Sequence, residues 1–141
     1  MNTGVLYVSS AKSPSGYGSA ARQDIASLFV AGVNTTCESI SQTVEMSNYG
    51  VTGAIANSLE KRRIPYKISI FHLTPDLIPQ YKEKGVYMIS RLAWETDKLP
   101  KEWIQPLNSI DEIWSMSPQM CEVIKQSGVN TPCYSFPEPI D

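Results

Sequence analysis

The chain alternates six short β-rich runs with segments in which apolar residues have helical spacing, and this alternation limits its fold more than any other feature. The runs cover residues 4–10, 34–43, 66–73, 86–90, 112–117 and 131–136. Alternation of this kind is typical of parallel strands, because a crossover helix must return the chain to the start of each new strand. We therefore predict an α/β fold, a Rossmann-like doubly wound parallel sheet of about six strands in the order 3-2-1-4-5-6, with helices on both faces.

Two of the helical segments have clear sequence signals. The first is predicted from apolar residues that recur at the spacing of one helix face, namely Ala21, Ile25, Leu28 and Phe29. The last is predicted to start at Ser117 as its cap, with Pro118 in the first turn, and to end at Gly128.

The glycine-containing segment 13–22 joins the first strand to the first helix. A helix start presents unpaired backbone N–H groups at the positive end of the helix dipole, which suits a phosphate or carboxylate. We expect an anion site here. Gly16 and Gly18 would allow positive φ and close ligand approach, with Tyr17 between them, Ser19 as the helix cap and Arg22 reaching the anion. The alternative is a mobile turn in which Arg22 pairs with a carboxylate of the fold.

Four other side chains follow later strands and so fall on the same edge of the predicted sheet, where ligands of doubly wound folds bind. They are His72, Trp94, Glu95 and Ser117. His72, the single histidine, suits proton transfer to or from an acceptor hydroxyl and is the candidate catalytic residue, although a buried structural role is the alternative. Trp94 and Glu95 suit stacking on a sugar and binding of its hydroxyls. Alternatively, Glu95 pairs with Arg91 and Trp94 packs in the core.

Charge and composition argue against several classes of protein. The formal net charge is −2 and there is no long block of like charges, so we expect no nucleic-acid partner. The basic cluster at residues 61–63 follows a predicted helix, where cations complement the dipole, so membrane association is not indicated. Cys37, Cys121 and Cys133 form no C-x-x-C pair and are odd in number, which argues against a metal site and a disulfide framework. Without an evident signal peptide or long apolar run, we expect a cytoplasmic protein.

A set of short strings is specific in combination. The strings are residues 94–103 (Trp-Glu-Thr-Asp-Lys-Leu-Pro-Lys-Glu-Trp), 107–117 (Leu-Asn-Ser-Ile-Asp-Glu-Ile-Trp-Ser-Met-Ser), 127–129 (Ser-Gly-Val) and 137–141 (Pro-Glu-Pro-Ile-Asp). Together with the turn at residues 16–18 and the following Arg22, they resemble the N-terminal half of GT-B glycosyltransferases of the family-4 (group 1) type. The resemblance covers nearly the whole chain and is weakest between residues 34 and 65.

This resemblance implies a domain that binds chiefly a saccharide or lipid-linked acceptor, while its glycine-rich loop approaches the phosphates of a nucleotide-sugar donor. It implies sugar transfer with retention, usually without a metal and with no cofactor besides the nucleotide-sugar co-substrate. The sequence stops at Asp141, where chains of that family pass into a donor-binding second domain. We therefore expect residues 1–137 to form the acceptor-side domain, residues 138–141 to start a linker, and the chain alone to be inactive.

The resemblance has one departure, and two other functions are compatible with the residues. The ending Pro-Glu-Pro-Ile-Asp replaces the Pro-His-Gly-Ile-Asp often seen in the family, so any role of that histidine is unfilled. A stand-alone flavodoxin-like module for a phosphate-bearing small molecule would bind free nucleotide. A docking domain for a separate donor-binding subunit would expose an apolar patch on the cleft rim.

Overall fold

Six parallel strands form a single sheet in a computed structural model of the chain, which describes residues 3–40, 46–94 and 96–137. The strands are β1 (Gly4–Ser9), β2 (Thr35–Ser39), β3 (Tyr66–His72), β4 (Tyr87–Leu92), β5 (Glu112–Ser115) and β6 (Cys133–Ser135). Each pair of neighbours in the sheet is parallel. The predicted α/β class and doubly wound parallel sheet are therefore confirmed.

Four α-helices and two 3-10 helices connect the strands in the described residues. The α-helices are α1 (Gly16–Val30), α2 (Gly50–Leu59), α3 (Lys101–Asn108) and α4 (Pro118–Gln126), and the 3-10 helices are Met46–Tyr49 and Pro75–Tyr81. Helix α4 starts as predicted, because the Ser117 hydroxyl accepts the Met120 N–H at 3.2 Å. Gly128 follows it with a φ of 106°.

The strand order is β2-β1-β3-β4-β5-β6, so the predicted order 3-2-1-4-5-6 is wrong. The sequence of β2, Thr-Thr-Cys-Glu-Ser, is polar, and such a strand suits a sheet edge. Strand β3 has buried apolar residues on both faces, with Ile70 on one face and Phe71 on the other. Such a strand suits the interior of a sheet, and β3 lies between β1 and β4. The chain leaves β1 toward β2 on one side and later returns to β3 on the other. The topological switch point therefore lies between β1 and β3.

Two apolar layers cover the sheet, one on each face. Tyr7, Ile70 and Ile89 are directly paired across β1, β3 and β4, so their side chains lie on the same face. They pack there against residues of α1 and α2. Phe71, Leu92 and Ile113 belong to the other layer, which includes residues of α3 and α4. The predicted buried face of α1 is wrong at one position. Phe29 is 48% exposed, while the charged residues Arg22 and Asp24 are buried.

Candidate functional site

The N-cap of helix α1 lies four residues before the predicted cap, Ser19. Ser15 is the N-cap, and its hydroxyl accepts the Gly18 N–H at 3.3 Å. Ser19 is therefore not the cap, because its own N–H already donates to the Ser15 carbonyl at 3.0 Å within the helix. Gly16 and Ser19 are exposed at this end of α1.

The two glycines of this turn have different structural roles, and neither has positive φ, contrary to our expectation. A Cβ atom on Gly18 would lie 1.9 Å from the Ser13 carbonyl oxygen, so the backbone of the preceding turn requires glycine there. A Cβ atom on Gly16 would meet nothing within 4 Å. The space beside Gly18, predicted to admit a ligand, is thus occupied by the Ser13 carbonyl group.

Arg22 holds the turn in place and does not face the cleft as expected. It is 6% exposed, and its guanidinium donates to the carbonyl oxygens of Ala11 at 2.7 Å and Ser13 at 2.8 Å. The same group lies 3.8 Å from the centre of the Tyr49 ring. Contact between Arg22 and a ligand would require these bonds to open.

We expect Arg22→Ala to lower the free energy of unfolding by about 2 kcal/mol, because it removes charged hydrogen bonds from a buried guanidinium to the backbone of the turn before α1. Urea unfolding of the variant measures the loss. Arg63→Ala is the control, since Arg63 is exposed and its replacement is expected to leave the midpoint unchanged. Equal midpoints for both variants would contradict the structural role of Arg22.

A buried polar network lies beneath the carboxyl ends of the central strands. Its members are Tyr7 of β1, Asp24 of α1, His72 of β3 and Arg91 of β4, each no more than 8% exposed. The Tyr7 hydroxyl donates to Asp24 Oδ2 at 2.7 Å, and Arg91 Nε donates to the same oxygen at 2.6 Å. His72 Nδ1 lies 2.7 Å from the Tyr7 hydroxyl. The network thus ties α1 to three strands at the switch point.

The hydrogen-bond directions in this network follow from the chemistry of its members. An ionised Asp24 can only accept, so the single hydroxyl hydrogen of Tyr7 points to the carboxylate. His72 must then donate from Nδ1 to the Tyr7 oxygen, which assigns the tautomer with a proton on Nδ1. Two side chains thus donate directly to the Asp24 carboxylate, and His72 supports one of them.

Arg91 also fixes the segment that follows β6. Its two terminal nitrogens donate to the carbonyl oxygens of Phe136 at 2.8 Å and Pro137 at 3.3 Å. Arg91 Nε contacts the carboxylate of Asp24 at 2.6 Å, while the pairing of Arg91 with Glu95 that the sequence also allowed stays untested. Glu95 itself lies outside the described residues, as do residues 138–141.

Burial lowers the pKa of His72 from its ordinary value of 6.5 to about 4, with Asp24 raising it and Arg91 lowering it to smaller extents. His72 is therefore neutral near pH 7. It is only 1% exposed, so in this arrangement it supports Tyr7 and does not reach a ligand directly.

We expect stability to fall on acidification, because the unfolded chain protonates its histidine at a higher pH than the folded chain does. The contribution of neutral His72 is complete above about pH 6.5 and is lost as the pH falls toward about 4; we expect a loss of about 2 kcal/mol between pH 7.5 and pH 5. Urea unfolding at several pH values measures it. In His72→Asn the slope over this range is expected to flatten, and an unchanged slope would contradict this assignment.

An aromatic pocket of about 450 Å³ lies on the rim of the sheet. It is lined by Tyr17, Thr74, Ala93, Trp94, Thr96 and Trp103. The residues come from the start of α1, from the segments that follow β3 and β4, and from α3, which contributes Trp103. They lie at the edge of the sheet where ligands of such folds bind. The expectation that residues 13–22 lie near Trp94 is confirmed.

Specific contacts hold the aromatic walls of this pocket. The Tyr17 hydroxyl donates to the Ala93 carbonyl at 3.0 Å, and its ring meets the ring of His72 edge-on at 5.6 Å between centres. Trp94 packs edge-on against the buried Trp103 at 4.7 Å, and its Nε1 donates to the Lys98 carbonyl at 2.8 Å. Tyr17 and Trp94, both half-buried, are thus held in position before any ligand binds.

The predicted site residues divide into three groups. Tyr17 and Trp94 line the pocket together, and His72 lies behind Tyr17. Gly16 and Ser19 are exposed at the start of α1, whereas Gly18 and Arg22 serve the turn. Ser117 caps α4 and does not line this pocket.

Sequence reasoning missed the network partners Tyr7 and Asp24. One signal was present, because Asp24 lies three residues after Ala21 and one before Ile25, within the apolar stripe of α1. A carboxylate at a buried helix position requires a partner, and the nearest strands supply Arg91 and Tyr7.

Comparisons with family models, with curated proteins and with solved structures found no match to this chain. Within residues 3–40, 46–94 and 96–137, no helix combines the length and apolar character needed to cross a bilayer. The same residues bring together no group of three or more histidine, cysteine, aspartate or glutamate side chains that could hold a metal ion.

Proposed function

We propose that this chain is the acceptor-side domain of a GT-B-type glycosyltransferase and that its aromatic pocket binds a saccharide acceptor. The observation that carries the proposal is the pairing of Tyr17 and Trp94 across a pocket on the carboxyl edge of the sheet. The sequence resemblance described above points to the same class of protein.

The lining of the pocket suits a sugar. The C–H face of a sugar ring is apolar and packs on aromatic rings such as Trp94, while its hydroxyls require hydrogen-bonding partners. Thr74 and Thr96 bring hydroxyl groups to the same space, and the Ala93 carbonyl is an acceptor there. The volume of about 450 Å³ falls in the range of small-molecule sites.

The start of α1 suits the phosphates of a nucleotide-sugar donor that would lie next to the aromatic pocket. Gly16 is exposed beside Tyr17, and the helix dipole favours negative charge at this end. In the proposed enzyme, the diphosphate of a nucleotide-sugar approaches this helix end from a donor-binding domain. The groups that stabilise the departing nucleotide then belong to that domain, and this chain supplies acceptor binding.

Titration calorimetry with a panel of mono- and disaccharides tests the acceptor site. We expect measurable binding of at least one saccharide, weakened about tenfold by Trp94→Ala through lost aromatic contact. Trp114→Phe is the matched control, because Trp114 does not line this pocket. Binding that is equally strong in Trp94→Ala, or no binding across the panel, would contradict the acceptor site. Binding of free nucleotide alone would favour the flavodoxin-like alternative.

The purified chain is expected to transfer no sugar from common nucleotide-sugars, because charge stabilisation of the leaving diphosphate lies outside it. A radiolabelled transfer assay with any saccharide found to bind measures this. Turnover by the wild-type chain above the Trp94→Ala variant would show that the division of the active site proposed here is wrong.

A further inference from the structure

Two thiols that are distant in sequence meet at one edge of the sheet. Cys121 lies in α4 and Cys133 is the first residue of β6, and their sulfur atoms are 2.9 Å apart. Both are free thiols and both are partly exposed. A disulfide needs sulfurs about 2.05 Å apart, so only a small shift separates this pair from bonding distance. No sequence motif predicted the pair, because the two residues lie twelve positions apart on different elements.

The hydrogen bonds around the pair form a chain in which Cys133 donates to Cys121, Cys121 to Ser115, and Ser115 to the Ser117 carbonyl. The Ser115 hydroxyl donates to the Ser117 carbonyl at 2.9 Å, so its only hydrogen is used. The Cys121 thiol therefore donates to the Ser115 oxygen, 3.1 Å away, and the Cys133 thiol donates to the Cys121 sulfur. This arrangement places the Cys133 sulfur directly against the Cys121 sulfur.

The two thiols differ in environment. Burial, together with the hydrogen bond to Cys121, raises the pKa of Cys133 to about 12. Because the thiolate is the nucleophile, this raised pKa makes Cys133 slow to attack an oxidant. We therefore assign the first oxidation to Cys121 and the attack on the oxidised sulfur to Cys133, whose sulfur lies 2.9 Å away.

We propose that Cys121 and Cys133 form a redox modification site that closes into a reversible disulfide when the chain meets a peroxide. The Cys121 thiolate attacks hydrogen peroxide, a sulfur–oxygen bond forms, the oxygen–oxygen bond breaks and hydroxide leaves. The Cys133 thiolate then attacks the Cys121 sulfenic acid, the sulfur–sulfur bond forms and the oxygen leaves as water. In sum, two thiols and one peroxide give one disulfide and two waters.

The surroundings give a peroxide access to the pair. A cavity of about 370 Å³ is lined by both cysteines and by polar residues that include Glu122, Lys125 and Thr131. Its size is ample for so small an oxidant. Cys37 contrasts with this site, because it is 1% exposed and its thiol donates to the Ala56 carbonyl.

The crosslink would fasten the last strand of the sheet. Strand β6 has three residues and pairs on one side with β5, so a bond to α4 would be a second attachment. The segment that follows β6 carries the Phe136 and Pro137 carbonyls that bind Arg91. Oxidation would therefore restrict the motion of β6 and of the following segment, whose carbonyl groups bind Arg91.

Peptide mapping of the chain after treatment with hydrogen peroxide tests the proposal. We expect a linked pair of peptides containing Cys121 and Cys133, a mass loss of two hydrogens, full reversal by dithiothreitol, and a rise in melting temperature of about 10 °C. Cys121→Ser and Cys133→Ser are expected to abolish the link, and Cys37→Ala to retain it.

Three outcomes would overturn the proposal. They are sulfinic acid at Cys121 with no crosslink in the wild-type chain, a crosslink that includes Cys37, and links only between separate chains. The wild-type peptide map is sufficient on its own, so the test does not depend on whether each variant folds.

Discussion

Replacing Gly18 by alanine is expected to destabilise the fold by about 3 kcal/mol, because the new Cβ atom would overlap backbone atoms that cannot move independently. The Ser13 carbonyl oxygen would lie 1.9 Å from that atom and the Ser10 carbonyl oxygen 3.0 Å from it. Arg22 donates to the same Ser13 oxygen, so the turn cannot move away without breaking this bond as well. Urea unfolding followed by circular dichroism measures the change.

Gly16→Ala is the matched control for this prediction. Gly16 lies in the same turn of α1, but its Cβ would be in open space, and its φ is not positive. Alanine there restricts the unfolded chain without strain, so we expect a gain of up to about 0.5 kcal/mol. If Gly16→Ala and Gly18→Ala destabilise the chain equally, crowding by the Ser13 carbonyl is not the cause.

Asp24→Ala is expected to cost about 4 kcal/mol, because it leaves a buried guanidinium without its carboxylate. Arg91 is 3% exposed, and its Nε and the Tyr7 hydroxyl would both lose their acceptor. Thermal and urea unfolding measure the loss. Asp97→Ala is the control, since Asp97 is exposed, and it is expected to change stability little.

A double-mutant cycle with Arg91→Met separates the Asp24–Arg91 interaction from other effects. Methionine removes the charge but keeps much of the apolar stem, so the double variant is expected to be more stable than the sum of the single losses predicts. Strictly additive losses would show that the two side chains do not interact energetically, contrary to their 2.6 Å contact.

The class of fold was predictable because its signals are local. Each strand appears as a short β-rich run, and the serine, proline and glycine that bound α4 act within a few residues of one another. The strand order was not predictable in the same way, because it depends on which strand is covered on both faces and therefore lies inside the sheet. The polar sequence of β2 and the apolar sequence of β3 carry that information, but only when the two are compared.

The candidate site was predictable where it follows from topology. Tyr17 and Trp94 meet because each follows a central parallel strand, and the carboxyl ends of such strands share one edge. Side-chain direction within α1 was the missing information. Arg22 was expected to face a ligand, but it turns back to the carbonyls of residues 11 and 13. The contact between Cys121 and Cys133 likewise depends on how α4 packs beside β6.

The order of the strands also bears on how the chain folds as it is synthesised. Strand β2 lies on one side of β1 and β3 on the other, and β4, β5 and β6 each lie beside the strand that precedes them in the chain. Every new strand thus finds its partner edge already exposed, and only the β1–β3 ladder skips over an intervening strand. Every ladder of this parallel sheet nevertheless joins residues that are distant in the chain, such as Val5 with Thr35 and Ile68 with Tyr87. Because the chain must close a long loop before each of these contacts forms, we expect the sheet to fold more slowly than a helical bundle of similar length.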